Sequence, residues 1–158
     1  MDSLSLRPVI QDNWRAALRL AVHPTQQRFV AGSRPIAAIA LAKAYIRPGG
    51  LLWEPYAMYA GDEMVGFVAL AYEPDSVACY WIYHFFIDHA QQGKGYGKAG
   101  LQALVAMVRA RHPRCQEIKL TVHPENHRAH ALYRTVGFQA TGDMQEGEPV
   151  FSLRIGGY

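Results

Sequence analysis

The chain has 158 residues, of which 50% are apolar and 18% charged, and its formal net charge at pH 7 is +3. A chain of this length can bury one sizeable core, so we expect a single domain over residues 1–158. Its longest apolar stretch, residues 35–42, is far shorter than the roughly 20 residues of a membrane-spanning helix, and no apolar signal-peptide segment opens the chain. These features argue against a membrane partner and predict a cytoplasmic protein.

The first 50 residues combine a short strand with helical segments. Residues 4–9 alternate as a strand does, and Asp12 or Asn13 can cap the helix that follows. A second short helix is expected over residues 25–31. Ser33 can cap a third helix, with Pro35 in its first turn, and residues 47–50, Arg-Pro-Gly-Gly, end it.

From Tyr56 the apolar period changes to two, which is typical of strands. Residues 56–60 and 64–72 flank a short glycine-containing turn, and the turn at residues 73–76 leads into a long aromatic strand from Val77. These three strands predict an antiparallel meander. Strict alternation along the third strand separates its side chains into two sets: Trp81, Tyr83 and Phe85 on one face, and Tyr80, Ile82, His84 and Phe86 on the other.

Helices and strands alternate in the last 60 residues. Apolar residues from Leu101 to Val108 give a helix with one buried face, and residues 117–122 form the next strand, parallel to the aromatic strand because a helix connects them. A further helix is expected from Asn126 to Val136, followed by a hairpin of residues 138–144 and 150–155. An edge strand such as 150–155 makes a homodimer one of our expectations.

The charges are unevenly distributed along the chain. Between Glu54 and Asp88 the sequence has acids but no Lys or Arg, so the rest of the chain is basic. A basic half suits the phosphates of a nucleotide-like cofactor, and an acidic, aromatic half suits a cationic substrate, although the acids could equally belong to ordinary polar turns. The acidic segment also interrupts any basic stripe, so no nucleic-acid partner is expected.

A glycine-rich turn separates the aromatic strand from the helix that follows it. Glycines at 93, 95 and 97 would let the unpaired amides of a helix N-terminus approach an anion closely. A Walker A loop is excluded because Gln92 and Ala99 stand where that motif needs a glycine and a hydroxyl residue. The G-x-G-x-x-G pattern at Gly95, Gly97 and Gly100 matches a dinucleotide fingerprint, but Ile118, Lys119 and Leu120 stand about 20 residues after Gly100, where an acid is expected.

A third interpretation is Gln-x-x-Gly-x-Gly, from Gln92 to Gly97, which resembles the acetyl-CoA pyrophosphate loop of the GNAT superfamily of N-acetyltransferases. The segment from Asn126 to Phe138 is similar to the second signature of that family, with Asn126, Ala129, Tyr133, Gly137 and Phe138 in the expected spacing. The resemblance covers the chain from about Tyr56 onward. It implies a mixed α/β fold with a central, mostly antiparallel sheet of about six to seven strands, a splayed parallel pair at its middle and flanking helices.

The resemblance also implies a cofactor and a reaction. Acetyl-CoA would be the cosubstrate, and its acetyl group would pass to a primary amine by direct attack in a ternary complex. The residues that the family would use for acetyl-CoA are the main chain of Phe86, Ile87 and Asp88, the loop residues Gln92, Gly93, Lys94, Gly95, Gly97 and Lys98, and Asn126 and Tyr133.

Tyr133 would protonate the leaving CoA thiolate, or it could be a helix tyrosine that only packs on the cofactor. The base stays open: polyamine acetyltransferases often have a Glu where Tyr83 falls, which leaves Tyr83 itself, Glu73, His84 or a water chain as candidates.

Segments outside the cofactor half are similar to bacterial spermine/spermidine acetyltransferases. By this resemblance a polyamine would be held by carboxylates and rings, and the candidates are Trp53, Glu54, Tyr56, Asp75 and Tyr80. Another small amine, a protein amine, a non-catalytic CoA-binding module and an NAD-dependent enzyme remain as alternatives. No metal is expected, because no Cys or carboxylate cluster joins His123, His127 and His130.

Overall fold

The computed structural model describes residues 3–30, 35–75 and 78–156. Within them the strands are β1 (Leu4–Pro8), β2 (Leu52–Ala60), β3 (Glu63–Tyr72), β4 (Cys79–Ile87), β5 (Glu117–Thr121), β6 (Gln139–Gln145) and β7 (Glu148–Arg154). The α-helices are α1 (Trp14–Arg19), α2 (Ile36–Ile46), α3 (Tyr96–Arg111) and α4 (His127–Val136). No helix in these three ranges is long and apolar enough to cross a membrane.

All the strands belong to one sheet with the order β1-β2-β3-β4-β5-β7-β6. Every neighbouring pair is antiparallel except β4 and β5, which are parallel because α3 connects them. The predicted mixed α/β fold with one parallel pair is therefore confirmed. The sheet places β7 between β5 and β6, so the expectation that residues 150–155 form an edge strand is wrong; β6 is the edge on that side.

The parallel pair opens towards the carboxyl ends of its strands. The register of β4 and β5 runs only from Cys79 opposite Glu117 to Trp81 opposite Lys119. Beyond that point β4 continues to Ile87 and β5 to Thr121 without pairing with each other. The backbone edge of β4 that faces β5 is thus available to a ligand from Ile82 onward, at the middle of the sheet.

Helices cover both faces of the sheet. On one face α3 and α4 bury an apolar cluster that includes Leu101, Leu104, Val108 and Tyr133. On the other face α1 and α2 cover a second cluster around Phe67. Gly100 lets α3 approach β2 closely, because a Cβ at this position would lie 2.4 Å from Met58 Sδ. This glycine of the G-x-G-x-x-G pattern therefore serves helix packing.

The N-terminal elements differ in detail from the predictions. The short helix expected over residues 25–31 is a 3-10 segment, Pro24–Phe29, which begins with a proline that fixes its first turn. β2 begins at Leu52, four residues before the change of period at Tyr56, because Leu52 to Pro55 already pair with β3. The predicted cap Ser33 and the predicted strand start Val77 lie outside the described residues.

A β-bulge breaks the alternation of β4. Phe67 of β3 pairs with Phe86 and Ala69 pairs with Tyr83, so a single β3 residue faces both His84 and Phe85. His84 takes a left-handed conformation, with φ of 54°. In consequence Phe85 packs with the α3/α4 cluster and Phe86 with the α1/α2 cluster, so the predicted division of faces is wrong beyond Tyr83.

Candidate active site

A cavity of about 640 Å³ occupies the opening between β4 and β5. Residues 82–87 of β4 form one wall, and residues 120–122, at the end of β5, form the opposite wall. The N-terminus of α3 and the inner face of α4 close one end, where the 3-10 segment Pro24–Phe29 contacts the glycine loop through Gln26 and Gln92. Lys43 of α2 and the β6–β7 turn border the cavity beside Tyr83. Ligands of α/β sheets bind at this kind of position, beyond the carboxyl ends of parallel strands.

The glycine loop presents the unpaired start of α3 to this cavity. Gly95 is the N-cap residue, with φ of 83°, and no side chain caps the helix. Ala99 donates its amide to the Gly95 carbonyl at 3.2 Å, which makes it the first amide bonded within the helix. Gly93, Gly95, Gly97 and Lys98 all line the cavity. The free amides, the helix dipole and the Lys98 ammonium together make this end a site for an anion.

Three other residues of the same stretch stabilise the loop. The Gln92 amide exchanges two hydrogen bonds with Gln26 and donates to the Ile87 carbonyl at 3.0 Å. Asp88 accepts from the Ala21 amide, and its own amide donates to the Val65 carbonyl. Lys94 is exposed and donates to Gln91. Gln92 still borders the cavity, whereas Asp88 and Lys94 lie outside its lining.

Asn126 and Tyr133 bring α4 to the cavity. Asn126 caps the helix by accepting a hydrogen bond from the Ala129 amide at 3.2 Å, as predicted. The Tyr133 side chain is 7% exposed and packs against the ring of Phe85. Burial, and secondarily the carboxylate of Glu148, raises the pKa of the Tyr133 hydroxyl above its usual range. This phenol is therefore protonated at any physiological pH and can act only as a proton donor.

His84 lies at the bulge and lines the cavity, next to Tyr83. Its Nε2 atom is buried and has no hydrogen-bond partner among the described residues. Burial, with a smaller contribution from the Lys43 ammonium, lowers the pKa of His84 to about 4. The imidazole is consequently neutral at pH 7, so it can accept a proton but holds it weakly.

Lys43 and Trp53 complete the wall behind Tyr83. The indole of Trp53 is 8% exposed and stacks on the Tyr83 ring at 4.9 Å between centroids. The Lys43 ammonium lies over both rings, 4.6 Å from the centroid of Trp53 and 5.8 Å from that of Tyr83. Trp53 itself does not line the cavity, but it fixes the two side chains that do.

The carboxylates that border the cavity come from the β6–β7 turn, which sequence reasoning missed. They are Glu146, in a left-handed conformation with φ of 51°, and Glu148, which accepts a hydrogen bond from Thr121 at 3.0 Å. The Glu-Gly turn between two strand patterns signalled a hairpin, but no sequence signal showed that the hairpin returns to this cavity.

Three residues predicted for a polyamine form a separate network under the carboxyl end of α3. Glu54 accepts hydrogen bonds from Tyr56 at 2.5 Å and from Tyr72 at 2.6 Å. The hydroxyl of Tyr80 is 2.9 Å from Nδ1 of His112. These groups partner one another and lie outside the cavity lining, near the start of β4.

Glu73 and Asp75 are also remote from the cavity. Both are exposed in the segment after β3, at the end of the sheet where β4 begins, whereas the cavity lies where β4 ends. Within the described part of the chain, no group of three His, Cys, Asp or Glu side chains is placed to hold a metal ion.

Comparison with known proteins agrees with this geometry. The model of the Acetyltransferase (GNAT) family matches residues 29–138. The chain belongs to this family. The spermine/spermidine N(1)-acetyltransferase of Bacillus subtilis strain 168 is 32% identical to this GNAT acetyltransferase over 149 residues, which cover 94% of the chain and 96% of that relative. The predicted family, acyltransferase class and resemblance to spermine/spermidine acetyltransferases are confirmed.

Solved structures show the same fold at lower identity. A spermidine N-acetyltransferase from Vibrio cholerae, in complex with CoA and spermine, has a TM-score of 0.74 and 17% identity over 97% of this GNAT chain and 95% of its own. An aminoglycoside acetyltransferase in complex with coenzyme A has a TM-score of 0.75 and 19% identity over 96% and 95% of the two chains. Since these proteins differ in acceptor, the fold alone does not identify the acceptor of this one.

Proposed function

We propose that this GNAT protein transfers the acetyl group of acetyl-CoA to a primary amine of a polyamine such as spermidine or spermine. The observation that carries the proposal is the opening between β4 and β5 beside the uncapped N-terminus of α3. An anion site and an unpaired strand edge meet there in one cavity. The family supplies the reaction class, and the Bacillus subtilis relative suggests the acceptor.

The cofactor would enter along the strand edge. Its pyrophosphate would lie against Gly93, Gly95, Gly97 and Lys98, and its pantetheine arm would follow the unpaired backbone of residues 82–87. The thioester then lies near the His84 bulge, where a backbone amide of β4 can stabilise the oxyanion of the tetrahedral intermediate. We do not include Asp88 and Lys94 among the cofactor contacts. The main-chain amide of Asp88 donates to the Val65 carbonyl and its carbonyl accepts from the Gln91 amide, and the Lys94 ammonium donates to the Gln91 side chain.

The chemical step is a direct attack. The neutral amine nitrogen forms a bond to the thioester carbon, and the carbon–sulfur bond breaks so that CoA leaves as a thiolate. The nitrogen releases its proton to solvent, and the residue that protonates the thiolate takes a proton back from solvent. Tyr133, which lines the cavity and is fully protonated, is the donor that we propose for this thiolate. Glu73 is too far along the sheet to take part, and the weakly basic His84 is a poor proton acceptor for an amine.

The acceptor would occupy the end of the cavity away from the glycine loop. Glu146 lies near Tyr83 and Glu148 near Thr121 and Tyr133. Both line the cavity and can bind the protonated nitrogens of a polyamine. Tyr83 contributes an apolar and aromatic wall for the methylene chain. These residues replace Glu54, Tyr56, Asp75 and Tyr80 in our proposal, whereas Trp53 keeps an indirect role behind Tyr83.

A panel of amines assayed for thiol release from acetyl-CoA tests the proposal. We expect spermidine and spermine to accelerate thiol release and chloramphenicol and aminoglycosides not to do so. If thiol is released only with a peptide or an aminoglycoside, the proposed reaction stands but the acceptor is that compound and not a polyamine. Binding of CoA without thiol release from any amine would instead support a non-catalytic CoA module. A homodimer and a cytoplasmic location remain predictions from the sequence.

A further inference from the structure

Lys43 borders the cavity, and its ammonium has no carboxylate partner among the described residues. It rests on the faces of Trp53 and Tyr83, and no Asp or Glu of residues 3–30, 35–75 and 78–156 lies within ion-pair distance of it. Arg28 of the cavity lining is by contrast paired with Glu125, and the two other unpaired cations of the described lining, Lys98 and Arg128, lie in the first turns of α3 and α4, where cofactor phosphates are expected. An unneutralised cation at the proposed acceptor end repels a polycation, so its presence there requires a chemical reason.

The reaction itself supplies such a reason. An alkyl ammonium has a pKa of about 10.4, so only about one amine in a thousand is unprotonated and nucleophilic at neutral pH. A base that takes its proton must compete with that affinity. Burial lowers the pKa of His84 to about 4, and Tyr133 stays protonated, so neither group removes the proton effectively at pH 7.

We propose that Lys43 activates the acceptor by making its reacting nitrogen give up its proton to solvent before attack. This inference rests on the proposed function. The fixed positive charge disfavours a second cation against Tyr83 and His84, whereas Glu146 and Glu148 stabilise a protonated nitrogen further along the same polyamine. The acceptor would thus bind with one end neutral and the other end charged.

The other charged and titratable groups that line the cavity agree with an acceptor that is neutral at one end and charged at the other. Lys43 from α2 is a cation, His84 from β4 is neutral, and the tyrosines Tyr83 and Tyr133 are protonated because burial raises the pKa of each. The lining also includes the acids Glu146 and Glu148, the ion pair of Arg28 with Glu125 and the ring of His123 against Phe29. The cations Lys98 and Arg128 line it as well, in the first turns of α3 and α4, at the end proposed for the cofactor phosphates.

The effect of Lys43 on His84 provides an internal comparison. Lys43 contributes to the lowered pKa of this neighbouring base, although burial contributes more. A nitrogen bound beside His84 would experience the same two influences. A like charge within about 4–6 Å shifts a pKa by one to three units, and solvent access to this open cavity favours the lower end.

The test is the pH dependence of kcat for Lys43→Met, with Lys43→Arg as the variant that keeps the charge. Arg109→Met removes one positive charge from the exposed face of α3 and controls for net charge. The assay is thiol release at saturating acetyl-CoA and spermidine between pH 6 and 10. The kcat profile reports groups in the ternary complex, which includes the bound acceptor.

For Lys43→Met we expect the rising limb of kcat to move up by about one pH unit. The value of kcat at pH 7 then falls about tenfold and recovers at high pH, where the amine is neutral anyway. The KM for spermidine falls at the same time, because a protonated acceptor is no longer repelled. For Lys43→Arg and Arg109→Met we expect the rising limb of the kcat profile at the same pH as in the wild-type protein.

Two results would overturn the inference while leaving the proposed function intact. One is an equal loss of kcat at every pH, which indicates a structural role for Lys43. The other is an increase in the KM for acetyl-CoA with an unmoved limb, which assigns Lys43 to the cofactor phosphates. Failure of the proposed function is distinguishable from both, since the wild-type protein would then release no thiol with any amine.

Discussion

Replacing Tyr133 or Tyr72 with Phe should separate an effect on activity from an effect on stability. Tyr133→Phe removes a hydroxyl from the cavity wall, and that hydroxyl makes no hydrogen bond to the described residues. Tyr72→Phe removes a hydroxyl that donates to the Glu54 carboxylate at 2.6 Å, in the network under α3. Both changes keep the aromatic ring, so the packing of each side chain is preserved.

The two variants should differ in how much stability they lose. A hydrogen bond to a charged group contributes about 1.5–3 kcal/mol, and the partial exposure of Glu54 reduces the loss in Tyr72→Phe to about 1–2 kcal/mol. In a domain of this size each kcal/mol corresponds to about 2–4 °C in Tm. We therefore expect Tm to fall by about 2–8 °C in Tyr72→Phe and by less than about 1 °C in Tyr133→Phe.

Activity should follow the reverse order. General acid catalysis contributes about 10²–10⁴-fold, so Tyr133→Phe should lower kcat by at least about 100-fold with little change in the KM for acetyl-CoA. Tyr72→Phe should retain the kcat of the wild-type protein. The assays are thiol release at saturating substrates, below the Tm of both variants, and differential scanning calorimetry without ligands.

The reasoning is refuted if Tyr133→Phe keeps its kcat, because solvent or another group then protonates the thiolate. A large fall in Tm for this variant would show that its hydroxyl has a structural partner. A loss of kcat in Tyr72→Phe, measured on folded protein, would connect the network under α3 to the reaction, contrary to its separation from the cavity.

Three further predictions concern packing, protonation and acceptor binding. Gly100→Ala places a Cβ 2.4 Å from Met58 Sδ, and the resulting overpacking of about 1–3 kcal/mol should outweigh the gain in helix propensity of about 1 kcal/mol. We therefore expect calorimetry to show a lower Tm for Gly100→Ala. Adding Met58→Ala to this variant should relieve part of the overpacking. His84 is neutral in the folded state down to a pKa of about 4 but protonates near pH 6.5 when unfolded, so only the unfolded chain takes up this proton between those values. Urea titrations should therefore show that the free energy of unfolding falls by about 2–3 kcal/mol as pH decreases from 6.5 to 4. The fall should be smaller for His84→Asn, a variant chosen because asparagine adopts the left-handed backbone conformation of this position. Glu146→Gln should raise the KM for spermine by several-fold to about tenfold, corresponding to about 1 kcal/mol, with an unchanged KM for acetyl-CoA; an unchanged KM for spermine would remove Glu146 from the acceptor site.

The sequence was most informative where function depends on neighbouring residues. The glycine turn and the segment from Asn126 to Phe138 are each contiguous, and their roles as a helix start and a capped helix follow from local backbone chemistry. The change of apolar period likewise predicts the meander, and the helix that connects β4 and β5 predicts the parallel pair. Local patterns succeed here because caps, turns and periodicity act within a few residues.

The acceptor residues predicted from the sequence differ from those that line the cavity. Acids and rings near β2, β3 and β4 predict one surface, but Glu54, Tyr56 and Tyr80 lie near the end of the sheet where β4 begins, and the cavity lies where β4 ends. The composition of a segment does not determine which end of the sheet each of its acids occupies, because that depends on how the strands pair. The bulge at His84 makes the predicted division of the β4 side chains wrong beyond Tyr83, because one extra residue exchanges the faces of all later side chains in a strand.

The sequence by itself determined the family, the order of the elements and the anion site at the start of α3. Only the tertiary structure decided that Lys43 of α2 and the Glu146–Glu148 turn of the last hairpin meet at one end of the cavity. These groups are about 100 residues apart in the chain. Their proximity results from the packing of α2 on the sheet and from the insertion of β7 between β5 and β6, which no local pattern encodes.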